Sequence, residues 1–198
     1  MCLIGFSLDC AAGTLVLASN RDEYFERATR AAHWWDDQPG VFGGRDLQAG
    51  GTWLGFNQHG RLAALTNYRD GGASSARSRG ELVTNALSKV QSADQLVAQL
   101  GDSINQYAGC SLLVFDWEPN ASGADAPIRG WCVSNRDTSP VRTLESGVFA
   151  LSNGLFDEPW PKSERLKSTF KQLRDLPEQA HEQTLLGALT DHWRAARG

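Results

Sequence analysis

The sequence predicts an α+β fold: two antiparallel sheets with helices packed on their outer faces. Three observations lead there. Apolar runs of strand length come first, then two helical stretches, then three more strands, then a helical tail. No helix alternates with each strand, which argues against a doubly wound parallel sheet. Gly-rich phosphate loops of the dinucleotide or P-loop type are absent.

The first third reads as β. Cys2 to Leu8 and Thr14 to Asn20 are strand candidates, separated by the turn-like Asp9-Cys10-Ala11-Ala12-Gly13. A hairpin centred on Ala11 sets Asn20 opposite Cys2, with Cβ atoms about 5 Å apart, and lets Arg21 and Asp22 emerge beside the thiol. A one-residue slip in register would spoil that placement. An irregular stretch with Trp34 and Trp35 follows, then strand-like segments at Val41 to Gly43 and Thr52 to Phe56. Gly50-Gly51 before Trp53 marks a bulge or a close backbone approach. Asn57-Gln58-His59-Gly60 turns into the strand Arg61 to Asn67.

A polar loop, Arg69 to Ser78, leads into helices. Glu81 to Val90 carries Leu82, Val83, Ala86, Leu87 and Val90 on one stripe. Ser92 and Gln95 have capping-box spacing and open a second helix through Leu96, Val97, Leu100 and Ile104. Strands return at Cys110 to Asp116, Ile128 to Ser134 and Gly147 to Ser152. In the helical tail Leu166, Phe170 and Leu173 share a face, then Leu186, Leu189 and Trp193 after Pro177.

Residues 1–198 are 41% hydrophobic, enough for one well-buried core, so a single domain is expected. A net charge of −4 argues against general nucleic-acid or membrane-surface binding. No run approaches the length of a membrane span, and no basic n-region marks a signal peptide. Cys2, Cys10, Cys110 and Cys132 show no C-x-x-C spacing, so no metal site is expected, and reduced thiols fit a cytoplasmic protein.

Chemistry is concentrated at Cys2 and at Asn20-Arg21-Asp22-Glu23. Removal of Met1 would give Cys2 a free α-amine, whose pKa of roughly 8 lets it act as base for a thiol of roughly 8.5. A guanidinium at Arg21 would favour the thiolate, and Asp22 would hold the ammonium form of the amine. The plainer alternatives are a small apolar residue opening a strand and a solvated turn.

These residues resemble the NRDE family, also called the transport and Golgi organisation protein 2 family. The blocks are M-C-L-I-G-F at the start, S-N-R-D-E at Ser19 to Glu23, G-G-T-W-L-G at Gly50 to Gly55 and G-R-L-A-A-L-T-N-Y-R at Gly60 to Arg69. S-R-G-E-L at Ser78 to Leu82, L-S-N at Leu151 to Asn153 and P-W-P-K at Pro159 to Lys162 complete the set. The resemblance implies the N-terminal-nucleophile hydrolase fold, an αββα four-layer sandwich. It also implies further strands and a Tyr-Gly-Thr-Arg-like motif that nothing after Lys162 matches, so the family's C-terminal strands are expected to be lacking.

Within that fold the chain is similar to the choloylglycine and penicillin V acylase branch. That similarity implies Cys2 as nucleophile, Arg21 and Asp22 as its support, and Asn153 with Asn67 as oxyanion donors; a strand-end cap is the alternative for both asparagines. The family's association with haem trafficking and lipid or acyl-CoA handling implies a carrier or chaperone binding a large apolar, anionic ligand. Haem would be cargo, and no cofactor is required. Asn20, Arg21, Asp22, Glu23, Trp53, Tyr68, Arg69 and Arg79 are its expected binding residues, with Arg77 beside them and Trp34 and Trp35 as further apolar wall. Haem ligation by Cys2, His33 or His59 is unspecific, since no C-x-x-C-H motif is present. The competing expectation is a cysteine-dependent hydrolase of non-peptide amides or thioesters.

Overall fold

A computed structural model describes residues 2–69, 77–88, 91–117 and 126–190. Its ten strands are β1 (Leu3–Asp9), β2 (Thr14–Asn20), β3 (Thr29–Trp34), β4 (Val41–Asp46), β5 (Leu54–Asn57), β6 (Arg61–Asn67), β7 (Cys110–Trp117), β8 (Ile128–Ser134), β9 (Val141–Leu144) and β10 (Gly147–Leu151). The four helices are α1 (Gly80–Ser88), α2 (Ala93–Ser103), α3 (Pro161–Gln172) and α4 (His181–Thr190). Strands β3 to β9 form a seven-stranded antiparallel meander in chain order. The other sheet has three strands in the order β10-β1-β2.

The period-2 pattern of the strands explains the layering. Ile4, Phe6 and Leu8 of β1 point to the space between the sheets, where they meet Ala64, Leu113, Phe115 and Cys132. Leu3 points the other way, onto Leu166, Phe170, Leu173 and Leu185 of the C-terminal helical segment. On the large sheet, Ala63, Leu65, Leu112, Val114 and Val133 face α1 and α2. Helix, sheet, sheet and helix therefore stack with three apolar interfaces, an αββα sandwich. Phe6 is fully buried, with its ring centroid 5.2 Å from Phe115 edge-on and 5.3 Å from Phe149. Burial of such a side chain contributes about 1.5–3 kcal/mol.

Several elements depart from the sequence expectation. The stretch expected to be irregular contains β3, and β9 was not expected at all. The strand expected from Thr52 begins at Leu54. Ser92 caps α2 as expected, its Oγ accepting from the Gln95 amide at 3.4 Å. In α4 Leu185 is buried and Leu189 of the expected stripe packs beside it, whereas Leu186 is 53% exposed and does not. Trp193, Lys89, Val90 and residues 70–76 of the polar loop lie outside the described residues. Among the described residues, no helix is long and apolar enough to cross a membrane.

Candidate functional site

The loop between β1 and β2 sets the geometry of the site. Asp9 Oδ1 accepts from the amides of Ala11 and Ala12, at 3.2 and 3.0 Å, and Gly13 supplies a left-handed residue at φ 63°. Asp9 pairs with Thr14, so the hairpin centre falls between Ala11 and Ala12, and Asn20 stands opposite Leu3. The expectation of Asn20 opposite Cys2 is thus off by one position. Continuing the ladder sets Arg21 beside Cys2, and Asn20 falls on the Leu3 face, towards α3. Its Nδ2 donates to Asp22 Oδ1 at 3.3 Å.

Two of the glycine-containing blocks close the cleft from the far side. A Cβ on Gly51 would lie 2.7 Å from the carbonyl carbon of Gly80, so only glycine lets the start of α1 approach the β4–β5 connection this closely. That approach brings Arg77 and Arg79 onto the same cleft as Arg21.

The resulting cleft, about 470 Å³, is lined by Cys2, Arg21, Asp22, Glu23, Trp53, Asn67 and Arg79 from the sequence expectation. Arg27, Asp46, Thr52 and Arg77 also line it. Four arginines face three carboxylates there, a local positive excess on an acidic chain. Asp46 organises it: Arg27 Nε at 2.7 Å, Arg21 Nη2 at 3.2 Å and the amides of Gln48 and Ala49 all donate to its carboxylate. Burial works to raise the Asp46 carboxyl, but the Ala49 amide, Arg27 and the Gln48 amide outweigh it and hold the carboxyl below its ordinary value. Arg21 also stacks on Trp53, 4.4 Å from the ring centroid. Arg79 donates to the Gly109 carbonyl at 3.2 Å and has no carboxylate partner among the described residues.

The remaining expected residues, Asn20, Tyr68, Arg69 and Asn153, do not line the cleft. Asn153 is buried and its Nδ2 donates to the Asn67 carbonyl at 2.7 Å, while its Oδ1 has no partner among the described residues. Tyr68 and Arg69 give their backbone amides to Gly109 and Asn153. Lys162, which sequence reasoning left without a role, sits behind Cys2, with Nζ 3.5 Å from the Cys2 carbonyl oxygen. Burial pushes its ammonium below the ordinary lysine value, and the charges of Asp22 and Cys2 oppose that. Among the described residues no cluster of His, Cys, Asp and Glu has a metal-binding arrangement.

Beside the cleft runs an apolar groove of about 700 Å³. It exists because three strands cannot cover seven: the inner face of β4 and β5, with Phe42, Leu54 and Phe56, extends past Leu15 and Leu17 of β2. Trp34 joins Phe42 and Phe56 in an aromatic cluster with centroids 4.9 to 5.8 Å apart, whereas Trp35 is buried under α1 and donates Nε1 to the Gly43 carbonyl. Trp53 lines both cavities. His33 donates Nδ1 to the Ala31 carbonyl and His59 lies in the β5–β6 turn; neither lines the cleft or the groove.

An αββα sandwich with its first strand at the centre of the smaller sheet is the N-terminal-nucleophile hydrolase type of fold, and here Cys2 stands at the head of that strand on the rim of a polar cleft. The fold of a Caenorhabditis elegans N-acylethanolamine-hydrolyzing acid amidase ortholog superposes with a TM-score of 0.63 over 96% of this chain and 86% of that one, at 10% identity. The Transport and Golgi organisation 2 family matches residues 1–196, and the chain belongs to it. Similar relatives are the Transport and Golgi organization protein 2 homologs of Bos taurus, 33% identical, and Homo sapiens, 31% identical. Each alignment covers 96% of this chain, with 72% of the bovine and 71% of the human protein. The Drosophila melanogaster protein is 28% identical over 96% of this chain and 70% of its own length.

Proposed function

We propose that the protein is a carrier or chaperone for a large apolar ligand bearing an anionic group, with haem and acyl-CoA-type lipids as the two chemistries that fit. One observation carries this reading: Trp53 is a shared wall between an arginine-lined cleft and an apolar groove. An amphipathic molecule can set its acid group against Arg79 and its body along Phe42, Leu54 and Phe56, spanning both cavities. Arg79 has donors to spare, since a guanidinium offers five N–H groups and only one bond to Gly109 is made among the described residues. Haem would be held here through its propionates, set against the arginines of the cleft, and by stacking on Trp53.

Haem titration followed by the Soret band, run beside titration with a fluorescent acyl-CoA, is the direct test. Saturable binding of either, weakened by Trp53→Ala, is the expected result. Binding of neither at micromolar protein ends the carrier reading.

A second reading has its own support. Cys2 lines the cleft together with Arg21 and Asp22, the set a thiol nucleophile needs. As a hydrolase of non-peptide amides or thioesters, the protein would lose turnover in a Cys2→Ala variant that still binds ligand.

A further inference from the structure

The connection from β2 to β3 carries charged residues into the cleft, yet two of its side chains take no part in it. Tyr24 is 81% exposed and Phe25 fully exposed, the two most exposed large apolar side chains among the described residues. Neither lines the cleft or the groove. Leu47, 58% exposed, lies on the adjoining loop, and its amide ties the two loops by donating to the Ala28 carbonyl at 3.0 Å.

This exposure is built into the turn. The Arg27 amide donates to the Tyr24 carbonyl at 3.0 Å, so Phe25 and Glu26 occupy the tip. Glu23 braces the near side: Oε1 accepts from the Tyr24 amide at 3.1 Å and Oε2 from Arg21 at 3.4 Å. Arg27 fixes the far side to Asp46 at 2.7 Å. The ion pairs that organise the cleft therefore also hold the turn, between two residues that line the cleft, and contact through its tip costs little further ordering.

The surroundings select the partner. Four arginines and three carboxylates line the cleft, while Arg30 and Glu26 beside it cancel, so this end is net positive on a chain of net charge −4. Aromatic side chains settle at the headgroup level of a bilayer, and arginines are drawn to an anionic leaflet. A protein partner would need a matching socket for Phe25, whereas a fluid interface closes around a projecting ring without one. Overall acidity opposes general adhesion to membranes and leaves room only for a local, oriented contact.

We propose that the Tyr24–Phe25 turn is an interfacial anchor that sets the cleft against an anionic lipid surface. With the rings in the headgroup layer, the arginine-lined cleft opens beside the leaflet in which an apolar, anionic ligand dissolves, and the ligand passes between bilayer and protein without crossing water. The anchor rests on the turn and its surroundings alone; the transfer rests on the carrier reading.

Co-sedimentation with vesicles, run on the full chain without haem or acyl-CoA, tests the anchor. The probes are vesicles of phosphatidylcholine alone and of phosphatidylcholine mixed with phosphatidylserine. Binding to the mixed vesicles is expected to be about fivefold the stronger, the worth of one net positive charge at the surface, and high salt should erase the difference. The double variant Tyr24→Ser, Phe25→Ser should bind the mixed vesicles about tenfold or more weakly, with Tm unchanged because neither ring is buried. Phe25→Trp retains wild-type binding. A wild-type chain that stays in the supernatant with both vesicles overturns the proposal, as does a double variant of unchanged Tm that binds within about twofold of wild type. Dimerisation of the wild-type chain that the double variant abolishes also overturns it, by making the turn a contact between copies. If the double variant lowers Tm, Phe25→Ser alone decides by the same measure. Vesicle binding by a chain that takes neither haem nor acyl-CoA would remove the carrier reading and keep the anchor; cargo binding by a chain that ignores vesicles would do the reverse.

Discussion

Replacing Asp46 by Asn removes one negative charge from the floor of the cleft and leaves its shape intact. Asn Oδ1 can still accept from the Gln48 and Ala49 amides, so the turn after β4 persists. What disappears is charge pairing with Arg27 at 2.7 Å and Arg21 at 3.2 Å. Each hydrogen bond to a charged group contributes about 1.5–3 kcal/mol when shielded. The Arg27 side chain is 29% exposed and Arg21 also bonds Glu23, so solvent and the second carboxylate discount both bonds. The net expected cost is about 1–2 kcal/mol at pH 7, or a fall in Tm of about 2–8 °C for a chain of this size. The Asp46 carboxyl is depressed in the folded state, so its contribution is fully present above the unfolded value near 3.9 and is lost as pH falls through the folded value. Urea unfolding of wild type and variant should therefore differ by a constant amount from about pH 5 to pH 8 and converge in stronger acid. A difference under about 0.5 kcal/mol at pH 7, or one that does not shrink in acid, refutes the assignment of Asp46 as organiser of the cleft.

Three further outcomes follow from the packing and the site. Phe6→Ala, at the centre of the inter-sheet core, is expected to cost about 3–5 kcal/mol in urea unfolding. Leu185→Ala should cost about 2–3 kcal/mol and Leu186→Ala less than about 0.5, a contrast that thermal melts resolve and that inverts if Leu186 faces the core. Arg79→Ala should weaken binding of an anionic ligand by about tenfold or more, measured by titration, with Tm unchanged; an unchanged affinity removes Arg79 from the site.

Most of the sandwich is legible in the sequence because its strands alternate and its helices carry stripes. β3 escapes such reading, since Thr29–Trp34 lies at a sheet edge and is largely exposed on both faces, leaving no periodic signal. The register of β1 against β2 was missed by one residue because it is set by a four-residue loop braced by Asp9, a side-chain detail that turn composition does not reveal. Within the cleft, Cys2, Arg21, Asp22, Glu23, Trp53, Asn67 and Arg79 come from the blocks singled out in the sequence. Asp46 and Arg27 do not: their meaning lies in an ion pair bridging nineteen positions, which only the folded chain brings together. Arg-Asp before a Gly-containing turn was the available signal for Asp46.

The two neighbours of β1 emerge at very different times. β2 lies a few residues on, but β10, on the opposite side, pairs residues 4–8 with residues 147–151. Loop closure over that span is slow, and a growing chain cannot form the pair until most of it has been synthesised. The N-terminal hairpin must therefore wait, half-satisfied, while the large meander assembles from neighbouring strands. Cys2, at the head of β1 and on the rim of the cleft, therefore reaches its final surroundings only once β10 is in place.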